Sequence, residues 1–170
     1  MVSVFATPLG YWALLGRDET LHAMTVGHPE ALAARIACVS PYAGAGTTIE
    51  DANLDWHPEL RRRLERYATG EVVAFDDIQL QLPRLTPFQR QIIDLTRKLK
   101  YGETITYGEL AMRAKHPRAA RAVGTVMSSN RFPIIIPCHR VVSSGGLGGY
   151  SAPQGVSLKS RLLELEQASR

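Results

Sequence analysis

A cysteine and a histidine are adjacent in the segment Ile136–Val141, whose sequence is Ile-Pro-Cys-His-Arg-Val. A free thiol has a pKa of about 8.5, so little of it is ionised at neutral pH, although the thiolate is the reactive nucleophile. A neighbouring imidazole increases the thiolate fraction, which makes Cys138 a candidate nucleophile and His139 its candidate base. The alternative is a buried structural cysteine that happens to precede a histidine, because free cysteine is among the most buried residue types.

The residues before Cys138 must deliver its sulfur to the site. The apolar triplet Ile134–Ile136 predicts a short buried strand. Pro137 fixes φ immediately before the cysteine. We therefore expect a stiff backbone at the thiol.

The composition is ordinary for a globular protein, with 170 residues, 45% of them hydrophobic and 21% charged. No apolar run approaches the roughly 20 residues that cross a bilayer, and the N-terminus lacks the basic start of a secretion signal. Cys38 and Cys138 are too few for a disulfide framework or a cysteine-based zinc site. His22, His28 and His57 are scattered, which predicts no metal site. We expect a protein of a reducing, cytoplasmic compartment with no membrane partner.

The charge is distributed unevenly between the two halves of the chain. Residues 1–82 carry 6 Lys and Arg against 11 Asp and Glu, whereas residues 83–170 carry 14 against 5. The half that contains Cys138 is therefore strongly basic, which favours a polyanionic partner for that half. A merely solvated basic surface is the alternative.

The first half predicts a small mixed α/β domain, residues 1–82. Its expected elements are a hairpin of strands Val2–Thr7 and Tyr11–Leu15 around Pro8-Leu9-Gly10, a helix that begins at Pro58 and ends at Gly70, and an extended segment Val73–Leu82. The glycine-containing stretch 43–48 lacks the Gly-Lys-Ser/Thr spacing of a phosphate loop. This half shows no chemistry of its own and is interpreted as a supporting domain.

The second half, residues 83–170, predicts a mainly helical domain and gives an α+β fold overall. Thr86 and Thr106 each open a capping box, with Gln89 and Glu109 three residues later. A third helix is expected from about Pro117 to Ser128. Two short helices joined by a tight connection predict a helix-turn-helix, as in winged-helix-like domains.

The third helix has two different faces when it is projected at about 100° per residue. Ala120, Val123 and Met127 form the inward stripe. The outward residues are small or cationic: Arg118, Arg121, Ala122 and Thr125. Small side chains allow a close approach to a groove wall, and arginine pairs with phosphate or enters the base stack. An alanine-rich surface that simply favours helix remains the alternative.

Several motifs occur together and in order in the second half: Thr106–Ala111 (TYGELA), Arg118–Gly124 (RAARAVG), Asn130, Ile136–Val141 and Gly149–Ser151 (GYS). In sequence and spacing they resemble the O6-alkylguanine-DNA alkyltransferases. The resemblance covers most of residues 83–170, whereas the first half is similar only in general layout. Two features depart from the family pattern. Arg131-Phe132 follows Asn130 where the family commonly has proline, and the zinc-binding cysteines of some eukaryotic relatives have no counterpart.

The resemblance implies a DNA repair protein that acts by direct reversal, without cofactor or metal. It would bind duplex DNA containing O6-alkylguanine through the minor groove and flip the damaged base out of the helix. The alkyl group would then move irreversibly to Cys138, once per protein molecule. The resemblance further implies a monomer, with cooperative binding along DNA left open. It would be cytoplasmic, and nucleoid-associated in a prokaryote or nuclear in a eukaryote.

The resemblance also assigns roles to individual residues. Arg121 matches the family's arginine that fills the gap left in the base stack. Tyr107 matches the tyrosine that crowds the 3′ phosphate of the target nucleotide and donates a hydrogen bond to guanine. Asn130 would brace the turn after the recognition helix. The remaining DNA contacts are assigned to Arg118, Ala119, Ala122 and Thr125. The pocket for the alkylated guanine is assigned to Gly149, Tyr150, Ser151 and the Val141 carbonyl.

Activation of the thiol is implied through a second residue pair. Glu166 lies three and four residues after Leu163 and Leu162, which places its carboxylate near the apolar face of a C-terminal helix. Without the family resemblance, a solvated helix glutamate is the favoured interpretation. It would orient His139, which would draw the thiol proton through a water. For Arg140 a structural ion pair is favoured over a role at the thiolate.

Two other functions remain open. A lesion-binding protein of the alkyltransferase-like type would grip alkylated DNA without transfer, but such proteins replace the reactive cysteine. A helix-turn-helix regulator would bind DNA reversibly and would not need Cys138-His139.

Overall fold

The computed structural model describes residues 1–42 and 55–168, so the stretch 43–48 lies outside the described residues. The chain forms two compact units, Met1–Gln81 with Ala152–Gln154, and Leu82–Ser151 with Gly155–Arg170. Residues 152–154 belong to the first unit although they lie within the predicted second domain. The α+β fold class is confirmed. Over the described ranges, no helix has the length and apolar character that a membrane crossing requires.

The first unit is built on a four-stranded sheet. Its strands are β1 (Val2–Thr7), β2 (Gly10–Arg17), β3 (Thr20–His28) and β4 (Gln79–Leu80). The first three are antiparallel in sequence order, and β4 pairs parallel to β3. The predicted hairpin is confirmed. Of the predicted extended segment Val73–Leu82, only the two residues of β4 are assigned as strand.

The turn between β1 and β2 requires glycine at its end. Thr7 Oγ1 donates to the Gly10 carbonyl at 2.8 Å and accepts from the Leu9 N–H at 3.1 Å. Gly10 has a φ of 103°, and a Cβ there would lie 2.7 Å from the His28 carbonyl oxygen. Both the left-handed conformation and the close approach of β3 therefore exclude a side chain.

Two helices cover apolar surface of the first unit. Helix α1 (Ala31–Val39) buries Ala34 and Cys38 in a cluster with residues of all three long strands. Helix α2 (Pro58–Ala68) has proline in its first turn, as predicted, and buries Leu60, Leu64 and Tyr67. The apolar spacing of its sequence therefore determined which face points inward.

The second unit is mainly helical. Its elements are α3 (Pro87–Arg97), β5 (Ile105–Thr106), α4 (Tyr107–Arg113), α5 (Ala120–Ser128), β6 (Val141–Val142) and α6 (Gly155–Ala168). Strands β5 and β6 pair in parallel. Both predicted capping boxes are present, at Thr86 and Gln89 for α3 and at Thr106 and Glu109 for α4. Helices α4 and α5 form the predicted helix-turn-helix.

Helix α5 begins at Ala120 and not near Pro117, so the predicted start was too early. The Ala119 N–H donates to the His116 carbonyl at 2.9 Å, which closes a turn with Pro117 at its second position. Proline at that position favours a β-turn as readily as the first turn of a helix. Arg118 and Ala119 consequently lie in the connection that leads into α5.

The predicted strand at Ile134–Ile136 is wrong, because these buried residues form turns. Ile134 has a φ of 71°, which no regular strand accommodates. The Ile136 N–H donates to the Phe132 carbonyl at 2.8 Å, and the Cys138 N–H to the Ile136 carbonyl at 2.7 Å. Hydrogen bonds between residues close in sequence therefore take the place of hydrogen bonds to a neighbouring strand. The triplet is apolar because it is buried, which periodicity alone cannot distinguish from a strand.

Candidate active site

Cys138 begins a single 3-10 turn, Cys138–Arg140, that leads into β6. The Asn130 side chain organises the approach to this turn. Its amide nitrogen donates to the Ile136 carbonyl at 2.8 Å and to the Cys138 sulfur at 3.1 Å, and its oxygen accepts from the Phe132 N–H at 2.9 Å. Asn130 therefore fixes both the backbone before the cysteine and the sulfur itself.

The thiol environment opposes ionisation overall. Burial raises the pKa of Cys138, while the hydrogen bond from Asn130 and the positive charge of Lys159 lower it in part. Cys138 is 7% exposed, so a small part of its surface is accessible to solvent. A nucleophile in this setting needs a base that removes its proton and a charge that stabilises the anion.

A buried ion network lies behind the thiol. His139 Nε2 is 2.8 Å from Glu166 Oε1, and Arg140 donates to both carboxylate oxygens of Glu166 at 2.8–3.2 Å. The Gly102 N–H adds a further bond to Glu166 at 2.8 Å. Arg140 thus forms the structural ion pair that the sequence favoured. It also donates to the Leu99 carbonyl at 2.7 Å.

The network sets the protonation of its members. Burial raises the pKa of Glu166, but the bonds from His139 and Arg140 outweigh it and hold this pKa well below its usual range. Burial lowers the pKa of His139 although Glu166 opposes the shift. A carboxylate only accepts, so Nε2 carries the proton of the neutral ring and Nδ1 is the basic nitrogen. His139 therefore has the protonation state of a base.

A fully buried lysine lies next to this network. Lys159 donates to the Val141 carbonyl at 2.6 Å and to the Gly149 carbonyl at 3.2 Å, and its nitrogen is 5.7 Å from the centre of the Tyr107 ring. The sequence prediction missed this residue. Its position seven residues before Glu166 in α6 was the available signal, because that spacing puts both residues on one helix face.

A cavity of about 420 Å³ opens beside the thiol, within the roughly 300–1,000 Å³ typical of ligand sites. Its lining comprises Tyr107, Gly124, Met127, Ser128, Cys138, Gly149, Tyr150 and Ser151. The structure thus brings Tyr107 and three of the predicted pocket residues to one space with Cys138. The sequence prediction missed Gly124, Met127 and Ser128 as lining residues.

Two of the predicted pocket groups already have hydrogen-bond partners. The Val141 carbonyl accepts from Lys159, and its second lone pair leaves room for one more donor. The Ser151 hydroxyl donates to the Ser128 carbonyl at 3.2 Å, so donation to a substrate would require it to rotate. Gly148 has a φ of 72°, and a Cβ there would lie 3.0 Å from the Tyr107 ring. The loop therefore packs closely on that ring.

Helix α5 exposes the face that the projection predicted. Arg121, Ala122 and Thr125 are exposed, whereas Val123 and Met127 are buried. Arg118, in the connection before the helix, is also exposed. Since Gly124 and Ser128 line the cavity, the exposed face of α5 continues into it. In the part of the chain that the structure describes, no group of His, Cys, Asp or Glu is suited to hold a metal ion.

A helix-turn-helix whose outer face leads into a cavity containing a thiol is the architecture of a DNA alkyltransferase. The family described as "6-O-methylguanine DNA methyltransferase, DNA binding domain" matches residues 87–168. The chain is similar to the methylated-DNA–protein-cysteine methyltransferase of Methanopyrus kandleri, with 42% identity over 126 residues that cover 74% of this chain and 91% of the relative. The enzyme of the same name from Haemophilus influenzae is 42% identical over 127 residues, 68% of each chain.

Solved structures agree over nearly the whole length. The crystal structure of Mycobacterium tuberculosis OGT in complex with DNA has a TM-score of 0.74 and 31% identity, and covers 99% of this chain and 93% of that one. The O6-methylguanine-DNA methyltransferase of Pyrococcus kodakaraensis has a TM-score of 0.76 and 28% identity, with 98% and 99% covered. The chain belongs to the methylated-DNA–protein-cysteine methyltransferase family.

Proposed function

We propose that this protein repairs alkylated DNA by moving the alkyl group from O6 of guanine to the sulfur of Cys138. The observation that carries the proposal is the cavity, because Cys138 lines it together with Gly124 and Ser128 of α5. A base inside a duplex hides its O6 atom, so the target must be flipped out to enter such a cavity. The curated relatives carry the name of this activity.

Duplex DNA containing O6-alkylguanine is the proposed partner, held in the minor groove by the helix-turn-helix. The M. tuberculosis structure, which was solved with DNA, and the basic charge of residues 83–170 support this partner. Arg121 is proposed to fill the gap left by the flipped base. Arg118, Ala119, Ala122 and Thr125 would contact the DNA around it.

The transfer is a displacement at carbon. His139 takes the thiol proton through a water, and its Nε2–H bond to Glu166 stabilises the resulting positive ring. The thiolate attacks the alkyl carbon, the new C–S bond forms as the C–O6 bond breaks, and the electron pair returns to the purine. Tyr107 is proposed to bond guanine, Tyr150 to contact the alkyl group, and Gly149 to admit the flat base. In net terms the thiol proton replaces the alkyl group on guanine.

The reaction is proposed to occur once per molecule. A thioether has no easy return to a thiol, and the described lining of the cavity offers no group suited to releasing the alkyl chain. The protein would act as a monomer in the cytoplasm, with residues 83–170 performing binding and transfer and residues 1–82 supporting them. Titrations on duplexes of increasing length would detect any cooperative binding.

Mass spectrometry tests the proposal directly. The protein is incubated with an excess of duplex containing O6-methylguanine, digested, and its peptides are measured. We expect one methyl group per molecule, on Cys138, and restored guanine in the DNA. An unmodified Cys138 peptide would favour the second candidate, a lesion-binding protein without transfer, although the presence of the cysteine argues against that candidate.

A further inference from the structure

The proposed transfer mechanism assigns no role to one buried charged residue, Lys159. Lys159 is fully buried in α6, and among the described residues it forms no ion pair with a carboxylate. Burying a lysine without a counter-ion is costly, so such a group is retained only where its charge or its donors are needed. The nearby Arg140 does not fill the same role, because its guanidinium is bound to Glu166.

The lysine is held in a fixed place by the walls of the cavity. Its nitrogen donates to the carbonyls of Val141 and Gly149, which lie at the two ends of the loop 141–149. The same nitrogen faces the Tyr107 ring. One ammonium group therefore links the strand after the nucleophile, the far end of the loop and the tyrosine of α4.

Burial lowers the pKa of Lys159, whereas a negative charge on Cys138 raises it, so the ammonium and the thiolate stabilise each other. The titratable groups that Lys159 faces are Cys138 and His139 from the 3-10 turn and Tyr107 from α4. Its positive charge lowers the pKa of both Cys138 and His139. Because His139 must be neutral to act as a base and Cys138 must ionise to react, both effects favour transfer.

We propose that Lys159 is a positioning residue for alkyl transfer: its ammonium, fixed between the Val141 and Gly149 carbonyls, supplies the cationic charge that stabilises the Cys138 thiolate. This inference rests on the proposed transfer to Cys138. It divides activation between two groups. His139 removes the proton, and Lys159 stabilises the anion that remains.

Two substitutions separate charge from hydrogen bonding. Lys159→Gln keeps N–H donors but removes the charge, and Lys159→Met removes both. The probe is iodoacetamide, a small neutral reagent that reports the thiolate without DNA. We expect Lys159→Gln to react at Cys138 about tenfold more slowly at pH 7, with its pH–rate profile displaced by about one unit to higher pH. Transfer from O6-methylguanine duplex should fall by a similar factor, while duplex binding is retained.

Lys98→Gln is the matched control, because Lys98 is exposed at the end of α3. An unchanged pH–rate profile in folded Lys159→Gln overturns the proposal, even if Lys159→Met is slow, since the lysine would then serve only through its hydrogen bonds. Wild-type protein is assayed in parallel. Failure of the wild type to transfer refutes the proposed function instead, so the two failures are distinguishable.

A measurement on the wild type covers the case in which neither variant folds. In protein labelled with ¹⁵N and ¹³C in lysine, the buried ammonium of Lys159 should exchange slowly with water and give a separate NMR signal. Raising the pH ionises Cys138 and should shift this signal while that of Lys98 stays in place, and methylation of Cys138, which leaves no ionisable thiol, should abolish the shift. A Lys159 signal that follows the pH in the same way before and after methylation would contradict the proposal.

Discussion

Nε2 of His139 lies 2.8 Å from Oε1 of Glu166, and both side chains are fully buried. The contact joins the residue after Cys138 to the last full turn of α6, 27 positions later in the chain. Because the ionised carboxylate can only accept, it selects the ring tautomer whose Nδ1 is basic. The same carboxylate neutralises Arg140. One glutamate thus sets both the tautomer of His139 and the balance of charge with Arg140.

Glu166→Gln should weaken both stability and transfer. The amide leaves the buried Arg140 guanidinium without a counter-charge, which costs about 3 kcal/mol of unfolding free energy. It also ceases to stabilise a protonated His139, so the transfer rate should fall by about 10²-fold. Urea unfolding and single-turnover transfer measure the two effects. Glu164→Gln, at an exposed position of the same helix, is the control and should match the wild type. A Glu166→Gln protein with wild-type kinetics would remove the orienting role.

Acid should destabilise the protein from about pH 6.5 downward. The folded pKa of His139 is lowered by burial, so the unfolded chain takes up this proton first as the pH falls. The bonds to Glu166 depress its folded pKa, so its contribution is complete above about pH 4.5 and is lost at lower pH. Both folded pKa values are lowered, so each residue loses its contribution to stability as the pH falls. Urea unfolding at pH 7, 6, 5 and 4 should show falling stability, with a shallower fall below pH 5 in Glu166→Gln. Constant stability across this range would contradict the assignment.

The sequence predicted those parts of the fold that depend on neighbouring residues. Both capping boxes, at Thr86 and Thr106, were predicted because Thr and Gln or Glu three residues apart satisfy each other's backbone groups. The helical periodicity of the sequence predicted which side of α5 is buried and which is exposed. The spacing of Glu166 alone favoured a solvated helix glutamate, and the family resemblance was needed to predict a buried carboxylate that orients His139.

The remaining features depend on contacts that are distant in sequence. The Ile134–Ile136 triplet was assigned to a strand because burial makes a turn as apolar as a strand. Pro117 was assigned to a helix start because proline suits both a first helical turn and a β-turn. Lys159 was missed because lysine is mostly exposed, and only the carbonyls of Val141 and Gly149 explain its burial.

Cys138→Ala should abolish transfer and leave lesion binding intact, because the cavity loses one sulfur atom and no wall. Binding is measured by titration of a labelled O6-methylguanine duplex, and transfer by mass spectrometry. Cys38→Ala is the control. Burial raises the pKa of Cys38 to about 12, so this thiol stays protonated and cannot substitute as the acceptor. Loss of both activities in Cys138→Ala would show a disturbed fold instead of a missing nucleophile.

Arg121→Ala should slow transfer from duplex DNA more than transfer from a single strand. Arg121 is exposed on α5, and in a duplex it is proposed to replace the flipped base in the stack. A single strand has little stacking to compensate, so the loss there should be small. The two single-turnover rates give the ratio, with Arg90→Ala, exposed on α3, as the control. Equal losses on both substrates would assign Arg121 to phosphate binding alone.

Asn130→Asp should raise the pKa of the Cys138 thiol. Aspartate keeps the oxygen that accepts from Phe132, but it loses the amide that donates to the sulfur at 3.1 Å and to the Ile136 carbonyl at 2.8 Å. It also places a negative charge beside the developing thiolate. The rate of iodoacetamide labelling at pH 7 should fall, and the unfolding free energy should drop by about 1 kcal/mol because the buried Ile136 carbonyl loses one of its two donors and keeps only the Cys138 N–H. Ser129→Ala, one residue earlier, tests whether any change in this turn has the same effect. If Asn130→Asp lowers stability but leaves the pH dependence of labelling unmoved, the asparagine braces the backbone and does not tune the sulfur.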